Sequence, residues 1–135
     1  MNVLVDTSVW SLALRRKPAR AGVEVRALTE LIREGRVLMV GPVRQELLSG
    51  IRDKAQFDAL REHLRAFPDE SLHEADFEQA AVCYNRCRER GVQGSNTDFL
   101  LCAVALRRKI PVFTTDKDFD RYSAVLGVGL YASVE

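Results

Sequence analysis

The chain opens MNVLVDTSVW, and those ten residues constrain the fold more than any later stretch. Val3, Leu4 and Val5 form a short apolar, mostly β-branched run, the pattern of a strand buried on both faces. The run stops at Asp6, Thr7 and Ser8, which suit a helix N-terminus, and Val9, Trp10, Leu12 and Leu14 follow as its apolar positions. The order is strand, carboxylate, helix. In open α/β sheets, ligands bind in the crevice beyond the carboxyl ends of the strands. Asp6 is therefore placed for chemistry, although an aspartate there can also do no more than cap the helix.

The rest of the chain repeats the alternation. After the basic connection RRKPAR, a second helix puts Val23, Ala27, Leu28, Leu31 and Ile32 on one face and ends at Gly35. Val37 to Val40 read as the second strand, and Pro42 suits the first turn of a helix that carries Glu46. Residues 54–66 form an amphipathic helix with Phe57, Leu60, Leu64 and Phe67 in phase, and a weak strand is expected between Phe67 and Leu72. A helix from about Glu74 to Arg90 is expected to bury Phe77, Ala80, Ala81, Tyr84 and Cys87. Every residue from Phe99 to Leu106 is apolar, which fits a strand or a helix covered on all sides. Asn96 to Asp98 as a helix start, and Arg107 to Lys109 as a cationic last turn, favour the helix. Pro111 to Thr114 then form a strand ending in the acidic turn TTDKDFD, followed by a short helix around Tyr122 to Leu126 and a last strand near Leu130. Strands alternating with helices predict an α/β fold, a mostly parallel sheet covered on both faces.

The 135 residues, 47% of them hydrophobic, are enough for one domain with its own core. No apolar stretch approaches the roughly 18 residues that cross a bilayer, and no basic segment precedes the first apolar run, so the expected location is cytoplasmic. A net charge of +1 neither demands nor excludes a nucleic-acid partner. The three cysteines, Cys83, Cys87 and Cys102, read as reduced, buried thiols rather than metal ligands. His63 and His73 read as structural residues.

Four carboxylates fall near strand ends or on the helices that follow them. Asp6 ends strand one, Glu46 lies on the helix after strand two, Asp98 opens the buried helix, and Asp116 follows the strand ending at Thr114. Any one of them can be a cap, a turn residue or a solvated charge. Together they meet one edge of a parallel sheet. Like charges that close either raise one another's pKa or hold a cation between them. An all-oxygen set selects Mg²⁺ or Mn²⁺ rather than zinc, and the hydrolysis it suits is attack of water on a phosphodiester. Ser8 and Thr114 stand beside Asp6 and Asp116 and are candidates to orient a carboxylate, a water or a phosphate oxygen.

LVDTSVW, the isolated Glu46, Asp98 opening DFLLCAVAL, and FTTDKDF together resemble the PIN-domain ribonucleases, and more narrowly the VapC-like toxins of bacterial toxin–antitoxin pairs. The resemblance spans residues 1–135 as a single domain. It implies a three-layer fold with a sheet of about four to five strands, and Mg²⁺, with Mn²⁺ as a possible substitute, carried by Asp6, Glu46, Asp98 and Asp116. It also implies cleavage of RNA, a homodimer, and silencing by a VapB-like antitoxin that occupies the active-site groove. Asp118 matches a second acid often present in the closing motif, with an auxiliary role.

An RNA approaching an acidic pocket needs cations on either side. Arg15, Arg16, Lys17 and Arg20 are the leading candidates, with Arg86, Arg88, Arg90 and Arg107 to Lys109 as alternatives. Other readings fit less well. A phosphoryl-transfer site on a first-strand aspartate usually has a second Asp two residues on, where this chain has Ser8. A receiver domain needs an aspartate ending its central strand and a lysine ending a later one, and neither can be placed. The remaining alternative is a PIN-like module that binds RNA or protein without cutting.

Overall fold

The first strand, β1 (Val3–Val5), is central because it has nothing to show solvent: all three side chains are 0% exposed. In a computed structural model describing residues 1–14 and 22–132, β2 (Val37–Leu38) and β3 (Val112–Phe113) pair with it in parallel, giving the order β2-β1-β3. Val3 stands opposite Val37, and Val5 opposite Phe113. The ladders are shorter than expected, and the two outer strands of the anticipated four to five are reduced to single parallel bridges, Met39 with Asp69 and Val112 with Leu130. Pro68 and Gly129 flank these bridging residues; proline lacks the donor a longer ladder needs, and glycine resists extended pairing.

The helices follow the expected order: α1 (Thr7–Ala13), α2 (Val23–Arg33), α3 (Gly41–Leu48), α4 (Lys54–Leu64), α5 (Glu74–Glu89), α6 (Asn96–Arg108) and α7 (Asp118–Leu126). α1 packs on α2 and α3, whereas α5 packs on α6 and α7. The apolar run at the start of α6 is a helix, with Phe99 through Ala105 all buried. The three cysteines are free and buried, and burial pushes their thiols up, so they behave as small apolar side chains. None of the helices is long and apolar enough to cross a membrane, among the described residues.

Three expected core positions are corrected. Ile32 is 39% exposed, and on α5 Phe77 is 53% exposed with Ala81 also exposed. α5 turns Asp76, Cys83 and Cys87 inward instead. The reason is an ion pair that periodicity does not see: Asp76, 0% exposed, is held by Arg107 and Arg108 from the far end of α6.

Candidate active site

All strands run the same way, so β1 and β3 deliver their C-terminal ends to one edge, with Asp6 and Thr114 as the next residues. Asp6 occupies the N-cap position of α1 but makes no side-chain cap bond. Its carboxylate is used elsewhere: the hydroxyls of Ser8 and Thr114 both donate to Oδ2, at 2.9 and 2.8 Å. Each hydroxyl is itself held by a backbone amide of the β3–α7 loop, Thr115 N–H donating to Ser8 Oγ and Asp116 N–H to Thr114 Oγ1, both at 3.0 Å. The two hydroxyls also stand 3.2 Å apart, and because an ionised carboxylate can only accept, both can donate to Asp6. That network joins Asp6, Ser8, Thr114 and Asp116 across more than a hundred residues of chain.

Asp98 is the third residue of α6, but the cap is Ser95, whose Oγ accepts from the Asp98 amide at 3.0 Å. The Asp98 carboxylate instead accepts from the Tyr122 hydroxyl on α7, at 2.8 Å. Burial pushes the Asp98 carboxyl above its ordinary range; the tyrosine bond pulls against it, and the charges of Asp6 and Asp116 add to the rise. Burial and the Asp98 carboxylate likewise push the Tyr122 phenol up, so it stays a donor.

Glu46 is exposed at the rim and accepts from Thr7 Oγ1 at 3.0 Å, which ties α3 to the first turn of α1. Asp116 is exposed and accepts from the Asp118 amide, while the Asp118 side chain pairs with Arg121 at 2.7 Å. Thr7 and Tyr122 are contributors the sequence pattern did not single out. For Thr7 the only signal was its place between Asp6 and Ser8; for Tyr122 there was none.

The candidate RNA contacts Arg15, Arg16, Lys17 and Arg20 lie outside the described residues. Among the alternatives, Arg107 and Arg108 are engaged with Asp76, and Arg86 donates to the Val125 carbonyl. His73 is the N-cap residue of α5 and His63 lies in the last turn of α4.

The donor chemistry fits a hard divalent cation. The side chains gathered here offer oxygen only, and the charges acting on Asp98 are both negative. Among the described residues no three acids, histidines or cysteines stand together closely enough to hold a metal ion as they are placed. A cation would offset both the burial and the like charges that raise Asp98.

The PIN domain family profile matches residues 3–125. None of the curated proteins matches the chain at a significant level. Among solved structures, FitAcB from Neisseria gonorrhoeae superposes with a TM-score of 0.78 at 22% identity, covering 97% of both chains. VapBC2 from Rickettsia felis, bound to a DNA fragment from its promoter, gives 0.78 at 15% identity, over 97% of this chain and 98% of that one. A toxin–antitoxin complex from Klebsiella pneumoniae gives 0.68 at 12% identity, over 99% of both.

Proposed function

The chain belongs to the PIN domain family, and from that membership together with the charge of its acid site we propose that it is a Mg²⁺-dependent endoribonuclease acting as the toxin of a toxin–antitoxin pair in the cytoplasm. The observation that carries the reading is Asp98, a carboxyl pushed up by burial and by Asp6 and Asp116 at the edge where parallel sheets place their sites. Asp6, Asp98 and Asp116, with Glu46 at the rim, would hold the cation, Mg²⁺ or Mn²⁺ in its place. That cation would supply charge neutralisation at a phosphodiester and activation of the attacking water. The protein's own groups do the positioning. Ser8 and Thr114 fix one oxygen of Asp6, Thr7 fixes one of Glu46, and the Asp118 amide holds one oxygen of Asp116. Arg15, Arg16, Lys17 and Arg20 would hold the RNA phosphates flanking the acids.

The fold shared with a toxin–antitoxin complex supports a VapB-like antitoxin partner. Repelling carboxylates attract a guanidinium, which binds a carboxylate through two hydrogen bonds, so the partner is expected to seat an arginine among them. A complex in which the partner touches only remote surface while cleavage continues would remove this part of the reading. A homodimer is supported by the groove of about 450 Å³ between α5 and α6, where Phe77 is 53% exposed, and by Val82, 45% exposed, on the same helix. α5 carries Glu74 and Glu78 in its first half and Arg86 and Arg88 in its second, so two copies packed antiparallel set opposite charges face to face.

Purified protein free of antitoxin, incubated with total RNA with and without Mg²⁺, should generate new 5′ ends only with the metal. RNA that is retained but never cut in Mg²⁺ would favour the non-catalytic module.

A further inference from the structure

We propose that Tyr122, seated against Gly94, is a positioning residue of the acid site: its hydroxyl holds one oxygen of Asp98 and so aims the carboxylate at the cation shared with Asp6 and Asp116. The inference rests on the metal-site reading above and assigns a task to a residue outside the acid set.

Three observations fix the phenol where it is. Tyr122 is 0% exposed, and its ring is held between Phe99 and Phe119 with centroids 5.0 and 5.1 Å away. Phe99 is the neighbour of Asp98 on α6, so one helix sets the register of both the ring and the carboxylate. Third, the backbone at Gly94 comes against the hydroxyl end of the ring. A Cβ on Gly94 would stand 2.3 Å from the phenol oxygen and 2.7 and 2.9 Å from the two nearest ring carbons. A ring packed between two aromatics cannot swing aside, so any side chain at 94 displaces the hydroxyl from Asp98. The next residue, Ser95, caps α6 and accepts from the Asp98 amide. Gly94 and Ser95 therefore place the backbone of Asp98 and the partner of its carboxylate together.

The type of donor matters as much as its place. Packing alone would be served by phenylalanine, and charge pairing by an arginine of the kind that holds Asp76. A neutral hydroxyl orients a carboxylate while leaving its negative charge for a cation. Asp6 shows the same device, with the Ser8 and Thr114 hydroxyls on a single oxygen. Both acids are aimed by neutral donors.

The test is Mn²⁺ binding, read by electron paramagnetic resonance of free Mn²⁺ during titration of the full chain, the Tyr122→Phe variant and the Gly94→Ala variant. Folding is checked in each by melting without metal. Both variants should bind Mn²⁺ about tenfold or more weakly than the parent. A purely structural phenol predicts a change in melting with affinity preserved, so Tyr122→Phe binding within twofold of the parent overturns the proposal. Should Gly94→Ala fail to fold, Tyr122→Phe decides alone. If the folded parent itself binds no Mn²⁺, the metal-site reading falls and this role falls with it, an outcome distinct from equal binding by parent and variant.

Discussion

Asp76 and Asp98 stand at the same place in consecutive helices, the third residue of α5 and the third of α6, and their surroundings are opposite. Asp76 accepts the His73 amide at 2.8 Å, closing the start of α5, and its remaining capacity goes to Arg107 and Arg108, also at 2.8 Å. The Arg108 side chain and the other donors hold its carboxyl down at about 2 in spite of complete burial. Asp98 leaves its helix start to Ser95, takes one neutral hydroxyl, and faces two further acids. One carboxylate is balanced and welds two helices together. The other is oriented but left in electrostatic debt. Positions that look equivalent in sequence can carry opposite electrostatic surroundings, and it is the balanced one that welds helices while the unbalanced one is left for the proposed cation.

The contrast is broken most severely by swapping amides in. Asp98→Asn should lower RNA cleavage about a hundredfold or more while the protein still folds, because one ligand charge is lost and the side-chain size is kept. Asp76→Asn should leave cleavage per folded molecule unchanged and weaken the fold, as read by urea denaturation beside the cleavage assay. Loss of cleavage in the second variant alone would reverse the assignment.

Next comes the other side of the balanced pair. Arg108→Ala removes a largely buried guanidinium and leaves Asp76 with Arg107 and the His73 amide, so unfolding free energy should fall by about 2–4 kcal/mol. Glu70, also held by Arg108 at 2.6 Å, loses its partner in the same step.

The two aspartates should also respond to acid with opposite signs. A folded value of about 2 against an ordinary 3.8 gives Asp76 about 2 kcal/mol of stability, present above pH 4 and lost as pH falls through 2. Asp98, with its carboxyl raised, is penalised in the folded state at neutral pH, and that penalty is relieved as it takes up its proton. Denaturation profiles should therefore show a shallower acid loss in Asp76→Asn, and a smaller gain on mild acidification in Asp98→Asn.

The readability of the sequence follows the same division. β1, the buried stretch of α6 and the places of Asp6 and Asp116 after β1 and β3 were legible because apolar runs and strand ends are local signals. Nothing local says that α5 should turn an aspartate inward and Phe77 outward. Asp76 is buried through partners 31 and 32 residues away, and the surface it thereby leaves to Phe77 can only be understood from those partners. Thr7 reaches Glu46 across 39 residues and Tyr122 reaches Asp98 across 24, so their roles exist only in the folded chain. The outer strands were overestimated for a simpler reason, since Pro68 and Gly129 cut them to single bridges.

The smallest effect on stability is expected at the exposed face of α5. Phe77→Lys should cost the fold within about 0.5 kcal/mol, as solvent-facing substitutions do, and under the proposed homodimer it should shift the mass in light scattering toward that of a monomer. An unchanged dimer would move the interface elsewhere.

The measurement that bears most directly on the imbalance at Asp98 is the melting temperature of the parent and of Asp98→Asn across a Mg²⁺ titration. A ligand that binds only the folded state raises its stability in proportion to its affinity. Without metal, Asp98→Asn should melt at or slightly above the parent, because repulsion within the acid group is reduced. Rising Mg²⁺ should then lift the parent well past the variant. A variant that melts lower than the parent without metal and gains as much from Mg²⁺ would mean that Asp98 is a helix-end charge and not part of a cation site.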